Sequence, residues 1–479
     1  MISRLNRRMN SRFGILVALT LSVFLPTTAL SDEKTAALPD DFDLQAVDAF
    51  LASHIERANC VGLSVAIVKN GRAVLEKGYG KRSLTDRSPV EPDTLFAIGS
   101  VSKQFTCAAV FLLAEEGRLS IHDPVVKYYP RLTRAEDITL LDLMNHVSGY
   151  PDYYPLDFLD RRMQKAIDPD QLLRQYAGGK LDFEPGSKWS YSNTGYILLG
   201  RVVEKVSGES LGEFLAHKVF KPLHMDHTVY EPALSDARLA EGFTTFALSD
   251  PERVNLEGKG WLGGAGGIFS TPSDLAKWDL ALMGGHVLKP ESFAAMTTPR
   301  TLTDGRSAEY GCGLSIRSQS GRQILAHNGA VSGFNTFNAM IPSTRSAVIM
   351  TCNVEGGLHS VPAQVLSLLL KEPAKVPAVK GATVVEQVKA VFTQLQNGKV
   401  NRGKMSDEFN HYLTDEKIAG AAQRLKPYGM PTRAEVVSSH ERGGMEVTTT
   451  RLTFKSGALL VLMYRMPDGV IEQFFVNRE

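Results

Sequence analysis

Three short strings in the sequence combine residue types that can do covalent chemistry. Ser100-Val101-Ser102-Lys103 places an amine three residues after a hydroxyl. On a helix, residues three apart share a face, so the Lys103 amine can reach the Ser100 hydroxyl. A serine hydroxyl is almost wholly protonated at neutral pH and attacks poorly unless a base takes its proton. The pair therefore suggests nucleophilic catalysis. Alone the string is weak, since a chain of this length holds roughly one or two S-x-x-K matches by chance, and Ser31-Asp32-Glu33-Lys34 is another. Ser100 differs in context. It follows Gly99 at the start of a long apolar segment, where the N–H of a first-turn residue has no helical partner and can donate to an oxyanion. A plain N-cap serine is the blander alternative. Downstream, Tyr191-Ser192-Asn193 is the only Y-x-N and His327-Asn328-Gly329 the only H-x-G in the chain.

The ordered triplet S-x-x-K, Y-x-N, H-x-G resembles the serine β-lactamases, penicillin-binding proteins and their esterase and D-aminopeptidase relatives. Phe96-Ala97-Ile98-Gly99-Ser100-Val101-Ser102-Lys103-Gln104-Phe105-Thr106, Leu143-Met144-Asn145-His146-Val147-Ser148-Gly149 and Gly266-Gly267-Ile268-Phe269-Ser270-Thr271 look like the class C-related branch of that family. The resemblance covers about residues 45 to 370. It implies that Ser100 is the nucleophile of an acyl-enzyme. It also implies that Tyr191 is the general base, its phenol acidified by Lys103 and His327, and that Asn193 donates to a substrate carbonyl. The N–H groups of Ser100 and Ala330 would form the oxyanion hole, with Gly329 leaving room for substrate along the strand. Many family members carry Lys where this chain has His327. Histidine, with an unperturbed pKa of about 6.5, is a weaker anchor for a substrate carboxylate. The expected activity is thus cleavage of D-amino acid peptides, amides or esters rather than efficient β-lactam hydrolysis. A penicillin-binding receptor without turnover, or a regulatory pseudoenzyme, is the alternative. The substrate is a small molecule or peptide, cell-wall-derived ones included, with no cofactor and no metal. His146 is read as a structural residue under the site.

These residues need elements to position them. Asp41 to Asn59 has the apolar spacing of an amphipathic helix, and Val61 to Val68 and Ala73 to Tyr79 read as a hairpin around Asn70-Gly71. Ser100 to Glu116 is expected as a buried helix ended by Gly117. Leu119 to about Lys259 reads as a mostly helical insertion, and strands return at Leu314 to Arg317, Phe334 to Ile341 and Ser346 to Thr351. The implied fold class is mixed α/β (α+β): a β-lactamase/transpeptidase-like antiparallel sheet, assembled from both ends of the domain and flanked by helices. Gly258-Lys259-Gly260-Trp261-Leu262-Gly263 fits G-x-G-x-x-G as a string, but no strand precedes it, so it reads as a turn or pocket lining. Trp261 is read as a packed aromatic. After a Pro-containing linker, Glu372 to Gly381, a small α+β accessory domain is expected, with a helix through Val384 to Leu395 and strands at Met445 to Phe454, Ala458 to Met466 and Val470 to Val476. The domains are placed at 32–375 and 380–479.

The 479-residue chain is 43% hydrophobic and 22% charged, ordinary for a globular protein. Arg4, Arg7, Arg8 and Arg12 precede the apolar run Phe13 to Leu25, and Ala29-Leu30-Ser31 offers small residues for a signal peptidase. Residues 1–31 are therefore expected to be a signal peptide cut before Asp32, which makes the mature chain periplasmic or secreted, with no stable membrane span left. The formal charge of +1 becomes −3 without the four arginines, which gives no electrostatic footprint for nucleic acid. Cys60, Cys107, Cys312 and Cys352 allow three disulfide connectivities or none.

Overall fold

The computed structural model describes residues 42–57, 60–154, 161–245, 249–371 and 376–479. The expected signal segment 1–31 and residues 372–375 of the linker lie outside them. The Asn70-Gly71 turn forms as read: both residues have positive φ, 52° and 78°, the requirement of a type I′ hairpin turn. It joins the strands Gly62–Lys69 and Arg72–Gly80. These two strands pair with four from much later in the chain into one antiparallel sheet. Its spatial order is Arg72–Gly80, Gly62–Lys69, Ser346–Cys352, Phe334–Ile341, Arg322–Val331, Ser315–Gln319.

Both faces of the sheet are covered, which is why Val65 to Val68 and Ala347 to Met350 read as continuous apolar runs. Ala66, Val68, Met340 and Ile349 point to the core that holds Val101 and Phe105. Val65, Ile67, Val348 and Met350 point the other way, to Val47, Leu51, Val365 and Leu369 from the helices Leu44–Arg57 and Val361–Leu370. The insertion is mostly helical, with the 15-residue helix Asn193–Ser207 as its longest described helix and only two-residue strands such as Val229–Tyr230. Among the described residues, no helix is long and apolar enough to cross a membrane.

The Ser102–Glu115 helix runs through the centre, with Lys103, Gln104, Phe105 and Thr106 all buried. Gln104 locks it in place. Its Nε2 donates to Asn338 Oδ1 at 2.9 Å, Trp278 Nε1 donates to Gln104 Oε1 at 3.1 Å, and Asn338 Nδ2 donates to Asp279 Oδ2 at 2.7 Å. One chain of hydrogen bonds thus ties the Ser102–Glu115 helix to the sheet and to the Pro272–Met283 helix. Asp279 is fully buried, and its Oδ1 has no partner. Burial raises its carboxyl pKa well above the usual range, so it is carried as the acid.

Residues from Val384 onward form a separate four-stranded antiparallel sheet, ordered as Arg433–Arg442, Met445–Phe454, Gly457–Arg465, Ile471–Arg478. Its core gathers Val388, Phe392, Leu452, Val461, Met463 and Ile471. The first of these strands is absent from the sequence expectation. It is an edge strand, exposed on both faces over most of its length, so its charged and hydroxyl residues show no alternation. The helices Asp407–Tyr412 and Asp415–Leu425 were likewise not foreseen.

Asp279 generates a prediction. A carboxyl whose pKa is raised by folding contributes stability that is complete below its unfolded pKa of about 3.9 and is lost as pH rises through the folded value. Asp279→Asn keeps the accepting oxygen and cannot ionise. Its melting temperature relative to wild type is expected to improve as pH rises above about 4 until the raised folded value is passed. A pH-independent difference in thermal melts would show that Asp279 does not fold as the neutral acid.

Candidate active site

The hydroxyl, the amine and the phenol singled out by sequence converge at one end of a cavity of about 860 Å³. Ser100, Tyr191, Asn193, His327, Gly329 and Ala330 all line it, together with Asp152 and Glu355. Ser100 sits in a single 3₁₀ turn, Gly99–Val101, that leads into the Ser102–Glu115 helix.

Two glycines let that turn touch the sheet. Gly99 has φ +50°, and a Cβ there would lie 2.8 Å from the Ala330 nitrogen. A Cβ on Gly329 would lie 2.0 Å from the Ile98 carbonyl oxygen. The sequence reading gave Gly329 the task of clearing space for substrate. Its space is instead occupied by the backbone that presents Ser100. The strand Arg322–Val331 was not among the clearest in sequence. It pairs with Ser315–Gln319 only through residue 326, so His327 to Val331 form a free edge beside Ser100. Ala330 is exposed on that edge, its nitrogen toward Gly99.

Lys103 is the buried centre of the site, 0% exposed. Its Nζ donates to Asn193 Oδ1 at 2.7 Å, to the Ala265 carbonyl at 2.8 Å and to Ser100 Oγ at 3.1 Å. Burial pulls its pKa down to about 7, against a smaller upward pull from the Asp152 carboxylate. The Ala265 carbonyl comes from the short helix Gly263–Gly266 at the end of the glycine-rich string. The segment that follows the string thus supplies a backbone carbonyl to the amine. Trp261 packs within the string itself, 4% exposed, its Nε1 donating to the Lys165 carbonyl.

Asp152, which sequence reading missed, orients Asn193. Its Oδ1 accepts from the Asn193 backbone N–H at 3.0 Å, and its Oδ2 from Asn193 Nδ2 at 3.2 Å. A carboxylate demands the amide nitrogen, which leaves Asn193 Oδ1 for the lysine. One Asn193 N–H is thus committed to the protein and only the other is left for a substrate carbonyl. Asp152 lies outside the S-x-x-K, Y-x-N and H-x-G strings, and no spacing signal marks it.

Tyr191 presents its ring to the amine, with Lys103 Nζ 4.8 Å from the ring centroid. Its hydroxyl makes no well-formed hydrogen bond, although Ser100 is near enough to favour the phenolate slightly. Burial outweighs that effect and moves the phenol above its ordinary pKa. This is the reverse of the acidification expected from the family resemblance.

The two histidines belong to one directional chain. His146 Nδ1 accepts from the Ser192 N–H at 3.1 Å, so its Nε2 carries the proton toward Tyr310 Oη at 3.3 Å. Tyr310 Oη in turn faces His327 Nε2 at 2.8 Å, and His327 Nδ1 faces the Asn328 carbonyl at 2.6 Å. A carbonyl can only accept, so His327 carries its proton on Nδ1, and its Nε2 accepts the hydrogen bond donated by the Tyr310 hydroxyl. Burial and the nearby Lys103 lower the His327 pKa to about 3. His327 therefore lines the cavity as a neutral ring with both nitrogens engaged. His146, fully buried with its ring 4.3 Å from that of Tyr191, supports the site from beneath. Tyr310, the link between the two rings, had no signal in the sequence. Among the described residues, no three His, Cys, Asp or Glu side chains converge as a metal site needs.

The sequence model of the beta-lactamase family matches residues 47–370. Penicillin-binding protein 4* of Bacillus subtilis is 31% identical over 313 residues, covering 61% of this chain and 68% of the relative. D-aminopeptidase of Brucella anthropi is 30% identical over 336 residues, covering 69% of this chain, which spans 63% of that relative's length. The octameric penicillin-binding protein homologue from Pyrococcus abyssi superposes with a TM-score of 0.60 at 21% identity, over 91% of this chain and 100% of its own. The antiparallel sheet with flanking helices is thus the fold these proteins share.

The contact between turn and strand can be tested directly. Gly329→Ala forces the Arg322–Val331 edge and the Ile98 carbonyl apart. A displacement of about 1 Å at a reacting atom costs roughly 10²-fold in rate, so Ser100 in this variant is expected to react with a fluorophosphonate at least that much more slowly while the fold persists by circular dichroism. Labelling at the wild-type rate would mean that the contact does not position the serine.

Proposed function

The chain belongs to the beta-lactamase family, and from that premise we propose that it is an exported serine hydrolase cleaving amide or ester bonds through an acyl-enzyme on Ser100. The observation that carries the reading is the Lys103 amine, 3.1 Å from Ser100 Oγ with its pKa drawn to about 7. As an ammonium, Lys103 donates to all three of its acceptors. On losing a proton it keeps its two N–H bonds to the nearer oxygens of Asn193 and Ala265, and its lone pair faces Ser100. The base is thus aimed at the proton it must take.

In the proposed reaction, the Ser100 proton passes to Lys103 as Oγ bonds to the acyl carbon. The resulting oxyanion accepts from the N–H groups of Ser100 and Ala330. As the tetrahedral adduct collapses, the bond to the leaving nitrogen or oxygen breaks, and Lys103 returns the proton to it, with the Tyr191 hydroxyl beside Ser100 as the relay. Water then repeats the sequence against the acyl-enzyme. Tyr191 relays rather than initiates, because burial opposes its phenolate.

The charges around the cavity bear on the substrate. Among the described residues that line it, the carboxylates are Asp152 and Glu355, and none is lysine or arginine. His327 is neutral there. A substrate carboxylate, such as that of a penicillin, meets no lysine or arginine on these walls, whereas an uncharged or amine-bearing amide or ester faces the two acids. Peptides, amides or esters of D-amino acids therefore fit better than β-lactams, in line with the D-aminopeptidase relative.

Intact-mass spectrometry tests the nucleophile. A fluorophosphonate is expected to add to the wild type and not to Ser100→Ala, a p-nitrophenyl ester to turn over, and a penicillin to label feebly. A penicillin adduct that persists without ester turnover would replace the hydrolase by a receptor. With the ester, kcat/KM is expected to rise with pH through about 7, as Lys103 loses its proton. Asp152→Asn removes the charge that favours the ammonium and is expected to move this limb to lower pH. A limb unmoved by that change would separate Lys103 from the rate-controlling proton.

A further inference from the structure

Two of the four cysteines meet inside the protein. Cys60 lies just before the strand Gly62–Lys69, and Cys352 is the last residue of Ser346–Cys352, which pairs with it. Leu63 stands opposite Cys352, and the Asn353 N–H donates to the Gly62 carbonyl at 3.2 Å. The two sulfurs are 2.9 Å apart, and the residues are 4% and 0% exposed. Closing that separation to the ~2.05 Å of a disulfide needs a shift of about 0.9 Å shared between two side chains. The backbones are already held by the ladder between the two strands. Cys107 and Cys312 have other neighbours: Cys107 Sγ lies 3.4 Å from Tyr196 Oη, and Cys312 Sγ lies 3.8 Å from Asn145 Nδ2. Scattered spacing left three connectivities or none open, and the sheet brings together one of the six possible pairs.

We propose that Cys60 and Cys352 are a disulfide-forming pair, oxidised as the chain folds outside the reducing cytoplasm, while Cys107 and Cys312 stay thiols. The oxidant is a disulfide, of a small molecule or of a thiol oxidase. One cysteine thiolate attacks a sulfur of the oxidant and expels its first thiolate, forming a mixed disulfide. The second cysteine thiolate then attacks the protein sulfur and expels the other. One S–S bond forms and one breaks, and the two cysteine protons end on the two released thiols. Because both sulfurs are enclosed, the exchange must precede the closing of the two strands, and the finished bond is shielded from reductants. It would join residues 292 positions apart, so the loop removed from the unfolded chain is long. It would also brace the cavity wall, since the chain beyond Cys352 supplies Glu355, Gly356, Leu358, His359 and Pro362 to the lining.

The test uses the full mature chain, refolded with oxidised and reduced glutathione or with reductant only, and does not involve hydrolase activity. After oxidative refolding, denatured wild type is expected to titrate with two thiols instead of four, and unreduced peptide mapping to join the Cys60 and Cys352 peptides. The oxidised form is expected to melt roughly 5 °C or more above the reduced form. Cys107→Ser, which leaves the pair intact, should titrate with one thiol and keep the joined peptides. Four thiols after oxidative refolding, or a link that involves Cys107 or Cys312, would overturn the assignment.

Discussion

An amine with no access to solvent governs the arrangement of this protein. Burial disfavours the charged form of Lys103, and three acceptors are brought to it from three parts of the chain: Ser100 from the 3₁₀ turn just before its helix, Asn193 from the insertion, and the Ala265 carbonyl from the glycine-rich segment. Each acceptor must be oriented in turn. Asp152 fixes the amide of Asn193, and the short Gly263–Gly266 helix exposes a carbonyl that a longer helix would have used for itself. The outcome is a group balanced between its charged and neutral forms, which neither bulk water nor a buried ion pair would allow.

The second constraint is steric. A hydroxyl at the start of a buried helix can face a strand edge only if two backbones approach more closely than side chains permit. Gly99 and Gly329 meet that condition from opposite sides, Gly99 additionally through a positive φ. Ser315–Gln319 pairs with Arg322–Val331 only through residue 326, so the far half has Phe334–Ile341 on one side and no strand on the other, where the Ala330 nitrogen faces Gly99. Behind the edge, the chain from Ser192 through His146 and Tyr310 to His327 and Asn328 fixes which ring nitrogen of each histidine carries its proton. A histidine so engaged contributes shape and polarity to the cavity wall, not charge.

Much of this was legible in sequence wherever the signal was local. The hairpin at Asn70-Gly71 follows from residues that tolerate positive φ, and the Ser102–Glu115 helix from a largely apolar segment ended by Gly117. Legibility failed where an element takes its meaning from distant partners. Arg433–Arg442 is a strand because Met445–Phe454 offers it a ladder, and nothing in its own polarity announces that. Asp152 and Tyr310 are ordinary residues in their strings, and they matter only because folding brings Asn193, His146 and His327 against them.

By itself, then, the sequence determined the inventory: which hydroxyl, amine, phenol and amide are present, in what order, and on what kind of local element each is carried. Helical spacing alone already put Lys103 within reach of Ser100, since that relation spans three residues. What the tertiary structure decided was the state of those groups. That Lys103 titrates near neutrality, that the Tyr191 phenol is pushed up, that His327 is neutral, and that Cys60 meets Cys352 all depend on what surrounds each group. A pKa and a sulfur–sulfur contact are properties of an environment, and in this protein that environment is assembled from segments hundreds of residues apart.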